Sequence, residues 1–174
     1  MEFDLKKSLE ILERTPIVLE TMLSGLSDEW IVNNEGPDTW SPFDILGHLV
    51  QGENTDWIPR MGIILSDQKD KSFEPFDRFA QFETSKGKSL KQLIDEFKEL
   101  RKRNIQILVS KELTEDNLDQ KGTHPTFNQV TLRQLLSTWV VHDLNHIAQI
   151  SRVMAKQYKL EVGPWKEYLK IVNQ

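Results

Sequence analysis

The chain has no cysteine among its 174 residues, which removes any disulfide framework, any thiolate metal site and any cysteine nucleophile. A metal, if there is one, must be held by nitrogen and oxygen. A basic excess is missing too: 22 lysines and arginines against 27 aspartates and glutamates give a formal net charge of -5. That sign does not suit a protein whose main task is neutralising phosphates, so nucleic acid is not expected as a partner. No run approaches the roughly 18 to 20 apolar residues that cross a bilayer. The start, Met1-Glu-Phe-Asp-Leu-Lys-Lys, lacks the apolar stretch of a signal peptide. A cytoplasmic protein with no membrane partner is the expectation. Internal repeats and low-complexity tracts are absent as well. What remains is length enough for one domain, 1–174, able to bury a core without disulfides or a structural metal.

Alternating strand patterns are also lacking, whereas apolar residues recur at spacings of three and four in four long segments. The expected fold is all-α, a four-helix up-down bundle with a short C-terminal helix. The first helix is expected over 3–25, carried by Leu5, Leu9, Leu12, Leu19 and Leu23, with Pro16 placed to kink or divide it. Residues 27–39, with Asn33-Asn34 and Gly36-Pro37, form a connection. The second helix starts with Ser41 as N-cap, Pro42 at the first helical position and Asp44 at the third, and runs to about Leu65 with a bend expected at Pro59. Residues 66–87 are long and polar and carry Phe73, Phe76, Phe79 and Phe82. Ser89 with Gln92 opens the third helix, to about Ser110, and Thr131 with Gln134 opens the fourth, to about Lys156. A turn or hairpin fits residues 111–130, and a short helix is expected from Trp165.

Candidate chemistry gathers on the fourth helix. His142 and His146 are four apart, so their rings stand on neighbouring turns of one face, within reach of one ion. The pair alone does not establish a metal, because packing histidines at a core edge give the same pattern. His48 lies on the second helix, on a side shared with Asp44, Gln51, Gly52 and Thr55. That side is either solvent-facing or the wall of a polar pocket. If the second and fourth helices face each other, three imidazoles converge and leave coordination positions open.

The stretch Trp40-Ser41-Pro42-Phe43-Asp44-Ile45-Leu46-Gly47-His48-Leu49, followed by Thr131 to Leu136 and by His142-Asp143-Leu144-Asn145-His146-Ile147-Ala148-Gln149-Ile150, resembles the DinB-like family, also called the DNA-damage-inducible or YfiT-like family. The resemblance covers nearly the whole chain, including the spacing of the first histidine from the pair. It implies a four-helix bundle with a nickel- or zinc-type site whose ligands correspond to His48, His142 and His146. It also implies a metal-dependent enzyme, either a transferase using a low-molecular-weight thiol of the bacillithiol kind or a small-molecule hydrolase. A catalytically silent metal-binding stress protein is the alternative. A homodimer is expected from the resemblance and from apolar residues outside the main stripes, including Trp30 and Trp165.

Other residues carry competing readings. His142-Asp143-Leu144-Asn145-His146 imitates the HExxH motif of zinc peptidases, but aspartate replaces the glutamate that would act as base. Asp143 projects into the apolar stripe and must have a partner there. A ligand histidine's N–H is one candidate, and an indole N–H or helix N-terminus near Trp40 is the other. Gln149 and Gln51 are the remaining supporting candidates, and no general base is evident. His124, beside Pro125, reads as an exposed histidine. The four phenylalanines read as a core cap, and Lys98 to Arg103 as a solvated helix face.

Overall fold

The computed structural model describes residues 1–174. Its elements in chain order are α1 (Leu5–Leu12), α2 (Thr15–Leu23), α3 (Asp28–Val32), α4 (Pro42–Thr55), α5 (Trp57–Leu65), α6 (Gln81–Thr84), α7 (Leu90–Ser110), α8 (Glu115–Leu118), β1 (Lys121–His124), β2 (Asn128–Thr131) and α9 (Leu132–Gln157). Two of the four expected helices are each broken once, so α1/α2, α4/α5, α7 and α9 form the four-helix bundle. The capping boxes read from the sequence all form: Ser41 with Asp44, Ser89 with Gln92, and Thr131 with Gln134. Residues 163–172 differ from the expected short α-helix. They make two 3-10 turns instead, with Trp165 exposed and Val172 buried in contact with α9.

Neighbours around the bundle do not follow chain order. The first helix packs against α7 and α9, and α4 packs against the same two. A long connection, residues 24–41, carries α3 and lets the chain reach the opposite corner. Residues 121–131 form an antiparallel hairpin, Lys121 opposite Thr131, and Phe73 joins its edge by donating N–H to Thr123 at 2.9 Å. Gly122 is required there, because a Cβ would lie 2.5 Å from the Phe73 ring.

The breaks have causes. Pro16 has no N–H to give the carbonyl four residues back, that of Leu12, and its ring crowds it. The helix divides at Glu13–Arg14. The freed Leu12 carbonyl lies in the bundle core and accepts from Arg101 Nη1 at 2.8 Å. The second break falls at Asp56, three residues before Pro59, where the backbone is distorted from ideal helix angles to φ -109° and ψ -73° and Asp56 ends one piece and begins the next.

The core consists of two apolar clusters separated by one polar layer. Leu46, Val50, Phe97 and Ile150 belong to the first cluster and Trp57, Leu108, Leu136 and Trp139 to the second. Between them Arg101, 1% exposed, takes both carboxylate oxygens of Asp143, at 2.6 and 2.9 Å, and Glu53 Oε1 at 2.8 Å. Asn104 and the Trp139 indole donate to Glu53 as well, at 3.0 Å each. The guanidinium stacks between Phe97 and Trp139, 4.9 and 5.1 Å from their ring centres. One side chain on α7 thus touches α1, α4 and α9. The expectation of a solvated face over Lys98–Arg103 is corrected at this position: Arg101 is the one charged residue there that faces inward.

Candidate metal centre

His48 stands on α4 two turns beyond its Ser41 cap, and His142 and His146 stand on consecutive turns of α9. The contact of α4 with α9 brings the three rings together. His142 Nε2 lies 3.2 Å from His48 Nε2 and 3.1 Å from His146 Nε2. One donor atom from each ring falls within 4.8 Å of the others. His48 and His146 are buried, at 6% and 7% exposure, and His142 is half-buried.

Burial lowers all three pKa values from 6.5, because a charged imidazolium is poorly solvated there. His48 falls to about 3 and His142 to about 2, each depressed further by its histidine neighbours. His146 is lowered less, since Gln149 and Asp143 act against its desolvation. All three are neutral at pH 7, the form in which imidazole is a ligand. Gln149 Oε1 lies 2.8 Å from His146 Nδ1 and takes its N–H, which leaves the Nε2 lone pair facing the other two rings.

This donor set fits a single ion. Imidazole nitrogens bound to one zinc-like ion at about 2.0–2.1 Å are separated by roughly 2.9–3.4 Å for angles between 90° and tetrahedral. The separations of His142 Nε2 from His48 and His146, 3.2 and 3.1 Å, lie inside that range. No carboxylate hydrogen-bonds any of the three rings, and Gln149 is the one side chain outside the trio that does.

Aromatic residues surround the rings. Trp40 and Phe76 stand 4.9 and 5.4 Å from the His48 ring centre, and Trp57 stands edge-on to His142 at 5.1 Å. In front opens a cavity of about 920 Å³ lined by the three histidines and Gln149, by Phe76 and Arg78 of the 66–87 segment, and by His124 of the hairpin.

Two comparisons with known proteins then bear on the chain. A family model described as the DinB superfamily matches residues 11–150. The chain belongs to the DinB superfamily. Among solved structures it is similar to YfiT from Bacillus subtilis, with a TM-score of 0.73 and 20% identity over 87% of this chain and 86% of that one. YfiT is described as a probable metal-dependent hydrolase with an unusual four-helix bundle topology. At that identity the likeness speaks for the fold. No curated protein matches the chain.

Within this DinB fold the supporting residues sort differently from expectation. Asp143 takes neither a histidine N–H nor a partner near Trp40; its partner is Arg101, in the buried interior of the bundle. The Nδ1 atoms of His48 and His142 have no protein partner. Gln149 reaches a histidine directly, whereas Gln51 is half-buried away from the cavity wall. His124 is half-buried rather than exposed. Its Nδ1 accepts from the N–H groups of Thr126 and Phe127 at 3.1 and 3.2 Å, and its ring lines the cavity. The phenylalanines divide: Phe73 is core, Phe76 borders His48, and Phe79 and Phe82 stack on each other at the surface. Arg101 was missed because a lone arginine in a charged helix face carries no signal of inward direction. The signal available was Asp143 and Glu53, two acids at core positions of other helices that needed a cation.

Proposed function

We propose that the protein is a metal-dependent enzyme in which His48, His142 and His146 hold one divalent ion, zinc or nickel, at the floor of the cavity. The observation that carries this is the convergence of three neutral imidazoles, two buried and one half-buried, on a point that also opens to a cavity large enough for a small molecule. An ion bound there supplies Lewis-acid chemistry, lowering the pKa of a water or thiol that reaches it and polarising an electrophile. The chain's own residues do the rest. Gln149 orients His146 through its Nδ1–H, and Trp40, Phe76 and Trp57 exclude bulk water from the three rings.

Hydrolysis of a small ester or amide is one reaction this arrangement suits, and YfiT's description favours it. Transfer of an external low-molecular-weight thiol of the bacillithiol kind is the other; with no cysteine in the chain the thiol must come from solution. A catalytically silent metal-binding protein of the stress response is a separate reading. It is favoured by one feature: no acid or base hydrogen-bonds the three histidines. The experiment compares metal-loaded protein, metal-stripped protein and buffer over a panel of esters, amides and thiol–electrophile pairs. Turnover by loaded protein alone supports the enzyme, and equal rates in all three select the silent reading.

A further inference from the structure

Six charged side chains line the cavity: Glu35, Asp38, Asp56, Arg60, Arg78 and Arg152. Four of them neutralise one another. Arg60 lies 2.6 Å from Asp56, and Arg152 grips Glu35 through two nitrogens while Lys156 reaches the same carboxylate. Of the three arginines, Arg78 alone has neither an ion pair nor a hydrogen bond to the protein. Arg78 is exposed at the cavity's edge, and a guanidinium without a protein partner there is a fork of donors matched to a carboxylate or phosphate.

Its position gives that charge a use. Arg78 follows Phe76 by two residues, and Phe76 stands edge-on to His48. Arg78 is among the charges acting on His48, so it lies within electrostatic reach of the histidine cluster. The segment that carries it is anchored to the hairpin, where Ser72 bridges Thr123 and Phe73 fills the space above Gly122. Trp40 and Phe76, which pack against the His48 ring, line the same cavity.

We propose that Arg78 anchors the anionic oxygen group, carboxylate or phosphate, of a small organic ligand whose opposite end faces His48, His142 and His146. The opposite end's role rests on the metal-enzyme reading above; the anchoring by Arg78 does not.

The test uses metal-stripped protein, so that an ion cannot itself bind the anion. Phenylacetate, phenyl phosphate and the neutral phenylacetamide are titrated against wild type, Arg78→Gln, Arg78→Lys and Asp38→Asn, read by fluorescence of Trp40 and Trp57 on the cavity wall. Wild type should prefer at least one anion to the amide by about tenfold, the low end for a charge-assisted bond at a partly exposed site. Which anion wins identifies the group. Arg78→Gln should erase the preference, Arg78→Lys should keep part of it, and Asp38→Asn, which removes the other unpaired charge, should keep all of it. A preference that survives in Arg78→Gln, or none in wild type, overturns the proposal. Circular dichroism and metal titration of Arg78→Gln show whether the fold and the histidine site are intact. Absence of metal binding in wild type would sink the metal-enzyme reading and leave the anion result standing.

Discussion

Replacing Arg101 by methionine tests the claim that one guanidinium ties the bundle together. Methionine keeps much of the volume and the contacts with Phe97 and Trp139, so the loss is electrostatic rather than a cavity. What the substitution leaves behind is Asp143 at 0% exposure and Glu53 at 1%, both without their cation, and the Leu12 carbonyl without its donor. Breaking a buried pair from one side costs about 3–5 kcal/mol, a large part of the roughly 5–15 kcal/mol that holds a domain together. The pKa of Glu53 is already raised by burial against the pull of Arg101, so Glu53 can take up a proton and soften the loss. Asp143 then carries most of it. Urea unfolding should place Arg101→Met lower by about 3 kcal/mol, and adding Asp143→Asn should restore at least a third of that, because the second change removes the stranded charge. The metal affinity of Arg101→Met should also fall, since Asp143 precedes Leu144 and follows His142 on the same helix and its anchoring fixes that turn. A loss under about 1 kcal/mol, or single effects that simply add in the double variant, would refute the reasoning.

Calorimetric titration should show alanine at His48, His142 or His146 each removing most zinc or nickel affinity, with non-additive combined effects; His124→Ala should bind as wild type, and tight binding by His48→Ala would end the three-histidine proposal. Gln149→Leu should weaken metal binding by an intermediate factor of about 10 to 100 through loss of the His146 Nδ1–H partner, and an unchanged affinity would reduce Gln149 to a packing residue. Metal-stripped protein should lose stability on acidification: unfolded histidines protonate near 6.5 while folded His48 and His142 resist until about 3 and about 2. Over that window the unfolded state binds more protons, so the urea midpoint should fall between about pH 7 and pH 5, and the fall should shrink in a His48→Gln/His142→Gln variant. A homodimer is expected in solution, and light scattering at micromolar concentration giving the 20.3 kDa mass of one chain would reject it.

Legibility followed the range of the interaction. Capping boxes are local, made by residues three apart, and Ser41, Ser89 and Thr131 could be read directly as helix starts. The histidine pair is local too. His48 needed the family resemblance, because nothing in α4 alone states which helix its polar side will meet. Arg101 was illegible for the same reason in stronger form: its partners are Leu12, Glu53 and Asp143, at sequence separations of 89, 48 and 42. The hairpin was half-visible, since residues 111–130 fitted a turn or hairpin but nothing local gave its pairing with Phe73. Pro16 was read as kinking or dividing the first helix, which it divides, yet its larger consequence lies elsewhere, in the carbonyl it frees for Arg101.

The polar layer and the histidine cluster draw on adjacent positions of the same turn of α9, with Asp143 between His142 and His146 in sequence, and this gives the buried arginine a use beyond stability. A purely apolar core allows helices to slide and rotate by small amounts at low cost, and an ion pair that replaces it is often neutral or worse for stability. A site built from rings on two helices does not tolerate such slippage, because nitrogen separations near 3 Å depend on how α4 and α9 are aligned. Glu53 lies five residues after His48 and Asp143 one residue after His142, so the guanidinium that joins the two acids holds the two ligand-bearing turns at a common height. The layer's effect should therefore be larger on metal affinity than on the melting of the fold once its charges are removed together: a variant with Arg101→Met, Glu53→Gln and Asp143→Asn should remain folded and helical while binding metal more weakly and less uniformly than wild type. If that triple variant binds as tightly as wild type, register is set by the apolar clusters alone and the arginine has no part in the site.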